Sequence, residues 1–160
     1  MNKPADIEVR NMKENPVLTL AVAESCTGGL VGGLITAVPG ASRYFKGGVT
    51  AYSNQAKIKL LKVPPSLLAR EGAVSAIVAA AMAKNVKKLL EADVGVAVTG
   101  IAGPSGGTRE KPVGLVYIAA SDSTGEETQR FVFKGDRDSI RRQAAREAVK
   151  LAEEKLKRKL

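Results

Sequence analysis

The sequence predicts an α/β fold: a three-layer α/β/α arrangement on a mixed, mainly parallel sheet, with an antiparallel hairpin in its C-terminal half. Three observations carry that expectation. Residues 17–23 (VLTLAVA) form a nearly continuous apolar run, the pattern of a strand buried on both faces. Strand-like and helix-like segments alternate through the first part of the chain, as in proteins that cover both faces of a sheet with helices. Further on, GLVYIAA (114–120) and TQRFVFK (128–134) flank the turn-forming SDSTGEE, which reads as a hairpin.

Each element has a local reason. After the first strand, AESCTGG breaks the apolar run, and TGGLVGGLITAV reads as a helix that Pro39-Gly40 ends. GGVTAYS (47–53) reads as a second strand, and SNQAKIKLL as a helix with Ser53 or Asn54 as its N-cap. Pro64 and Pro65 break that helix and start a short turn. Over 75–90, Val78, Met82, Val86 and Leu89 recur at spacings of three and four behind Ser75, the clearest amphipathic helix in the chain. DVGVAVT (93–99) is the third strand, followed by the Gly/Pro-rich loop GIAGPSGGTREKP (100–112). A helix from about Asp136 onward closes the chain, and residues 1–16 read as an N-terminal arm or helix. With no repeat and no long linker, residues 1–160 are expected to form a single domain.

Composition narrows the chemistry. The chain has 160 residues, 44% hydrophobic and 26% charged, which is ordinary globular usage. No apolar run reaches the roughly 18 residues of a membrane span, and the charged, proline-broken opening does not read as a signal peptide. A cytoplasmic location is expected. There is no histidine, which removes Ser-His-Asp and Cys-His catalysis and histidine metal sites. A single cysteine, Cys26, allows neither an internal disulfide nor a cysteine zinc cluster. The balance of 25 basic to 16 acidic residues, +9, fits nucleic acid or a small anionic substrate. Aromatics at 4% leave few stacking platforms, and much of the terminal cluster Lys155, Lys157, Arg158 and Lys159 reads as a solvated helix end, so nucleic acid is the less favoured partner.

In open α/β sheets, ligands bind beyond the carboxyl ends of the strands. Three polar, glycine-rich segments stand at such ends: AESCTGG, YSNQAK and VTGIAGPSGG. Ser25 follows a buried strand and precedes a helix start, where backbone N–H groups can stabilise an oxyanion or a phosphate; the plain alternative is that Ser25 or Thr27 only caps the helix. Gly28 and Gly32, and Gly29 and Gly33, fall at i,i+4 and suggest a close backbone approach to the sheet or to another subunit. A serine nucleophile without histidine needs another base. Lys57, one turn into its helix on the side of Asn54, can serve if burial lowers its pKa by about three units from ~10.4. Cys26 is either a second candidate nucleophile or a small buried filler, with Ser25 favoured.

The last helix adds two arginines. With Ile140 as origin and about 100° per residue, Ala144, Ala148, Leu151 and Ala152 span an arc that also holds Arg137 and Arg141. An inward arginine needs an anionic partner: a carboxylate such as Glu24 on the plain reading, a substrate phosphate on the alternative.

AESCTGG, GGVTAYSNQAK and VTGIAGPSGGTREKPVGLVYIA, in this order, resemble the C-terminal domain of the CinA (competence/damage-inducible) family over about residues 17–155. That domain also occurs alone as a bacterial nicotinamide-nucleotide amidase, the form this sequence looks like. The resemblance implies an amidohydrolase that cleaves the carboxamide of nicotinamide mononucleotide to nicotinic acid mononucleotide and ammonia, in pyridine-nucleotide salvage, with neither metal nor cofactor. It implies Ser25 as nucleophile, Lys57 as general base and Tyr52 as an orienting residue. The amides of Thr27, Gly28 and Gly29 are expected as oxyanion donors. Asn54, Thr99, Gly100 and Gly103 are expected to line the substrate site. Arg141 is expected on the phosphate, reversing the carboxylate reading, with Arg137 the alternative if the helix register is off by a turn. Ser105, Arg109 and Leu115 depart from the usual motif and bear on substrate preference and rate. A homo-oligomer, a dimer in the first instance, is expected. The competing reading is a non-catalytic nucleotide- or nucleic-acid-binding module of the competence/DNA-damage response.

Overall fold

The computed structural model describes residues 18–157, so the arm expected over 1–16 lies outside the described residues, as do Arg158 and Lys159. The strands are β1 (Leu20–Glu24), β2 (Phe45–Thr50), β3 (Val94–Gly100), β4 (Leu115–Ser121) and β5 (Glu126–Val132). The helices are α1 (Leu30–Thr36), α2 (Asn54–Leu61), α3 (Pro65–Glu71), α4 (Ala76–Leu89) and α5 (Arg137–Lys157).

The sheet order is β2-β1-β3-β4-β5. β1 is parallel to both neighbours, whereas β3 with β4 and β4 with β5 are antiparallel. The sheet is therefore mixed, with β4 alone running against the other strands. Because β1 is flanked by strands that follow it, its carboxyl end is a topological switch point, where helices leave to opposite faces and open a crevice.

The alternation of side chains along each strand explains the two cores. Leu20, Val22, Val94, Val96 and Val98 face α1 and α5, with Ile35, Ile140 and Leu151. Ala21, Ala23 and Ala97 face the α2–α4 side, with Leu61, Val78 and Met82. The apolar run of β1 is buried on both sides, as its composition predicts. Where α4 crosses β3 the approach is very close: a Cβ on Gly95 would lie 2.1 Å from the Ala83 carbonyl oxygen.

Four local expectations are corrected. Pro64 and Pro65 do more than make a turn: Pro65 is the first residue of α3, where its missing N–H costs nothing. Leu89, placed on the inward stripe of α4, is 51% exposed at the helix end. The four glycines do not form one stripe against the sheet: Gly28 and Gly29 precede α1 with left-handed φ of 59° and 105°, a Cβ on Gly32 would lie 3.6 Å from Glu24 Oε1, and one on Gly33 would meet nothing within 4 Å. Lys155 is not solvated: it is 4% exposed and pairs with Asp122 (3.6 Å) and Glu127 (3.1 Å), tying α5 to the β4–β5 hairpin. Among the described residues, no helix is long and apolar enough to cross a membrane.

Candidate active site

The carboxyl ends of β1, β2 and β3 converge on an open cavity of about 270 Å3, at the small end of small-ligand sites. Ser25, Lys57, Tyr52, Thr99, Gly103 and Arg137 all line it.

Ser25 directly follows β1. Its N–H donates to the Val98 carbonyl of β3 (3.0 Å), which continues the ladder and holds the residue at the strand end. Lys57 comes from α2, whose N-terminus is fixed by the Ser53 hydroxyl accepting from the Ala56 N–H (3.1 Å). That cap aims Lys57 inward, and its Nζ lies 2.9 Å from Ser25 Oγ. The same nitrogen donates to the carbonyls of Ala51 (2.9 Å) and Tyr52 (3.0 Å).

Lys57 is 1% exposed, and among the described residues no carboxylate pairs with it. Burial therefore pushes its pKa below that of free lysine. The nitrogen's three contacts are two carbonyls and the serine hydroxyl, and the lowered pKa brings within reach the neutral form, in which a lone pair can face that hydroxyl. Such a pair can abstract the hydroxyl proton as the oxygen attacks.

The neighbouring thiol is placed differently. Cys26 is buried, and that burial pushes its pKa up to about 11, so at neutral pH it is a protonated filler rather than a thiolate.

Two expected oxyanion donors are already engaged: the Gly28 N–H donates to the Ser25 carbonyl (3.1 Å), and the Gly29 N–H to Glu24 Oε2 (3.0 Å). Thr27 is fully buried, and its Oγ1 has no hydrogen-bond partner among the described residues. Asn54 is exposed at the start of α2 and outside the cavity lining. Thr99 is buried and donates to the Ala73 carbonyl (2.8 Å), linking β3 to the segment after α3. Gly100 and Gly103 both line the cavity. A Cβ on Gly103 would lie 2.5 Å from Val113 Cγ1, and the residue has a left-handed φ of 76°. Among the described residues, no cluster of three or more His, Cys, Asp or Glu side chains is placed to hold a metal ion.

The two arginines of α5 part company. Arg137 reaches the cavity rim, donating to the Gly103 carbonyl (2.7 Å) and to Tyr52 Oη (3.0 Å). Arg141, the first choice for a phosphate in the sequence, lies outside the lining and donates to the carbonyls of Cys26 (3.0 Å) and Thr27 (2.9 Å). Glu24 meets neither arginine; its carboxylate accepts the N–H groups at the start of α1, which leaves that helix no need of Ser25 or Thr27 as caps.

Sequence reasoning missed Ala73 and Val74, which close one wall of the cavity. Apolar residues in a short connection carry no signal of such a role. Ser105 lines the cavity, Arg109 is exposed, and Leu115 is a core residue of β4.

The model of the CinA C-terminal domain family matches residues 3–156. A CinA-like protein of Desulfotalea psychrophila is 55% identical over 132 residues, covering 82% of this chain and 32% of the relative. A CinA-like protein of Geotalea uraniireducens is 53% identical over 136 residues, covering 85% of this chain and 32% of the relative. The chain thus spans about a third of the length of the curated relatives it matches. Among solved structures, a competence/damage inducible protein from Agrobacterium tumefaciens superposes with a TM-score of 0.93 at 35% identity, covering 98% of both chains. A CinA superfamily protein from Klebsiella pneumoniae superposes at 0.91 and 31% identity, covering 98% of this chain and 99% of that one.

Proposed function

The chain belongs to the CinA C-terminal domain family, and from that premise we propose that it is a metal-independent amidase that hydrolyses nicotinamide mononucleotide to nicotinic acid mononucleotide and ammonia. The observation that carries the reading is the buried Lys57 amine 2.9 Å from Ser25 Oγ in the cavity lining.

In this reading Ser25 Oγ attacks the carboxamide carbon while Lys57 takes its proton. The tetrahedral oxyanion is met by backbone N–H groups. With Gly28 and Gly29 engaged elsewhere, the Thr27 N–H remains of the three expected donors, and the Cys26 N–H, next along from the nucleophile, joins it in that part. Protonated Lys57 then gives its proton to the departing nitrogen, ammonia leaves, and an acyl ester on Ser25 remains. Water, deprotonated by Lys57, cleaves that ester and restores the serine. Arg137 at the rim meets the phosphate, because it is the cavity-lining guanidinium and its contacts there, a carbonyl and a phenol, are neutral.

The test is product analysis. Wild type is expected to convert the mononucleotide to its acid, and folded Ser25→Ala to form none above background. Acid formation by Ser25→Ala at the wild-type rate would refute the nucleophile.

A further inference from the structure

The two charged residues that the sequence sets against each other are both tied to the backbone that carries Ser25. Glu24, 2% exposed, accepts the Gly29 (3.0 Å) and Val31 (3.1 Å) N–H groups on Oε2 and the Gly32 N–H (2.8 Å) on Oε1. Arg141 donates from Nε to the Cys26 carbonyl (3.0 Å) and from Nη2 to the Thr27 carbonyl (2.9 Å). The segment between the serine and α1 is therefore held from two directions, by a carboxylate that binds its last N–H, Gly29, and the first turn of α1 beyond it, and by a guanidinium on its carbonyls.

We propose that Glu24 and Arg141 are positioning residues for Ser25, acting through this segment and not through substrate. The inference rests on the reading of Ser25 as nucleophile. The segment needs such a grip because Gly28 and Gly29 both have positive φ, and glycines leave a chain many conformations of similar energy. The same backbone reaches the base: the Glu24 carbonyl accepts the Ala51 N–H (2.8 Å), and the Ala51 carbonyl accepts from Lys57 Nζ (2.9 Å). Glu24 thus ties nucleophile and base into one frame. A displacement of about 1 Å between reacting groups costs on the order of a hundredfold in rate, so a loosened segment slows attack without weakening substrate binding. Hydrogen bonds between charged groups and backbone are also stronger than neutral ones, which suits a part that must stay still.

The experiment reads the nucleophile by itself. A fluorophosphonate probe forms an Oγ–P bond on an activated serine and expels fluoride, while the hydroxyl proton passes to Lys57; it carries neither carboxamide nor nucleotide phosphate. Labelling of Ser25 is followed by intact mass for wild type, Glu24→Gln, Arg141→Gln and Arg141→Lys, beside kcat and KM for the mononucleotide. Glu24→Gln and Arg141→Gln are expected to slow labelling at least tenfold and to lower kcat alike, with KM within about twofold. Arg141→Lys, able to reach one of the two carbonyls, is expected to recover part of the rate.

Labelling at the wild-type rate in the folded variants overturns the proposal, as does a raised KM for Arg141→Gln with labelling unchanged, which would place Arg141 on the substrate. If Glu24→Gln does not fold, the two Arg141 variants decide. A wild type that is labelled but leaves the mononucleotide intact refutes the substrate reading and leaves the positioning role to the same comparison. A wild type not labelled at Ser25 overturns the nucleophile and this inference together.

Discussion

Lys57 reaches Ser25 across two adjacent parallel strands: the serine directly follows β1, the lysine lies in the first turn of the helix after β2, and Nζ and Oγ stand 2.9 Å apart. Because burial lowers the lysine pKa, the base becomes neutral at a lower pH than free lysine does. Activity is therefore expected to rise with pH through the Lys57 pKa, with the rising limb of kcat/KM below that ordinary value. Lys57→Arg keeps the charge but does not release a proton near neutral pH, and is expected to be as inactive as Lys57→Ala. A pH–rate profile of the wild type, beside activity assays of the two variants over the same range, checks this.

The same burial has a cost in stability. A lysine whose folded pKa lies below its unfolded value binds fewer protons folded than unfolded between the two, so stability rises with pH across that window. Below the folded pKa the full penalty stands, at about 1.4 kcal/mol per unit of depression. Lys57→Met removes that penalty. Thermal melts are expected to show Lys57→Met at or above wild type at neutral pH, with the difference shrinking as pH rises toward that of free lysine.

Arg137 gives a separate prediction. It lines the cavity, and its guanidinium donates to the Gly103 carbonyl and Tyr52 Oη. Arg137→Ala is expected to raise KM for the mononucleotide about 10- to 100-fold, as loss of a charge-assisted bond does, with kcat changed much less. Steady-state kinetics separates the two terms.

The fold has its own sensitive point at Gly95. A Cβ there would press on the Ala83 carbonyl at 2.1 Å and on Lys87 Cβ at 2.7 Å, both in α4. Gly95→Ala is expected to destabilise by about 3 kcal/mol or more, because backbone and not a flexible side-chain tip must move. Denaturant unfolding measures it.

The frame of the molecule was legible because its signals are local. The apolar run of β1, the Ser75 and Ser53 caps and the hairpin residues each fix an element from its own neighbourhood. Ser25 and Lys57 could be paired because both fall at carboxyl ends of strands and histidine is absent. Partner choice was less legible. Glu24 ends an apolar strand, which shows that it is buried but not that it caps α1. Arg137 and Arg141 share one arc of α5, and one turn decides which meets the cavity and which the nucleophile segment. Lys155 looked like part of a solvated end because its partners, Asp122 and Glu127, come from the distant hairpin.

The measurement that bears most directly on the account is ammonia release from nicotinamide mononucleotide, in EDTA, by wild type and by Lys57→Ala of verified fold. The account predicts release by the wild type and a loss of about a thousandfold in kcat for the variant, in the range of a removed general base. Release by Lys57→Ala at the wild-type rate, or none by the folded wild type, would contradict it.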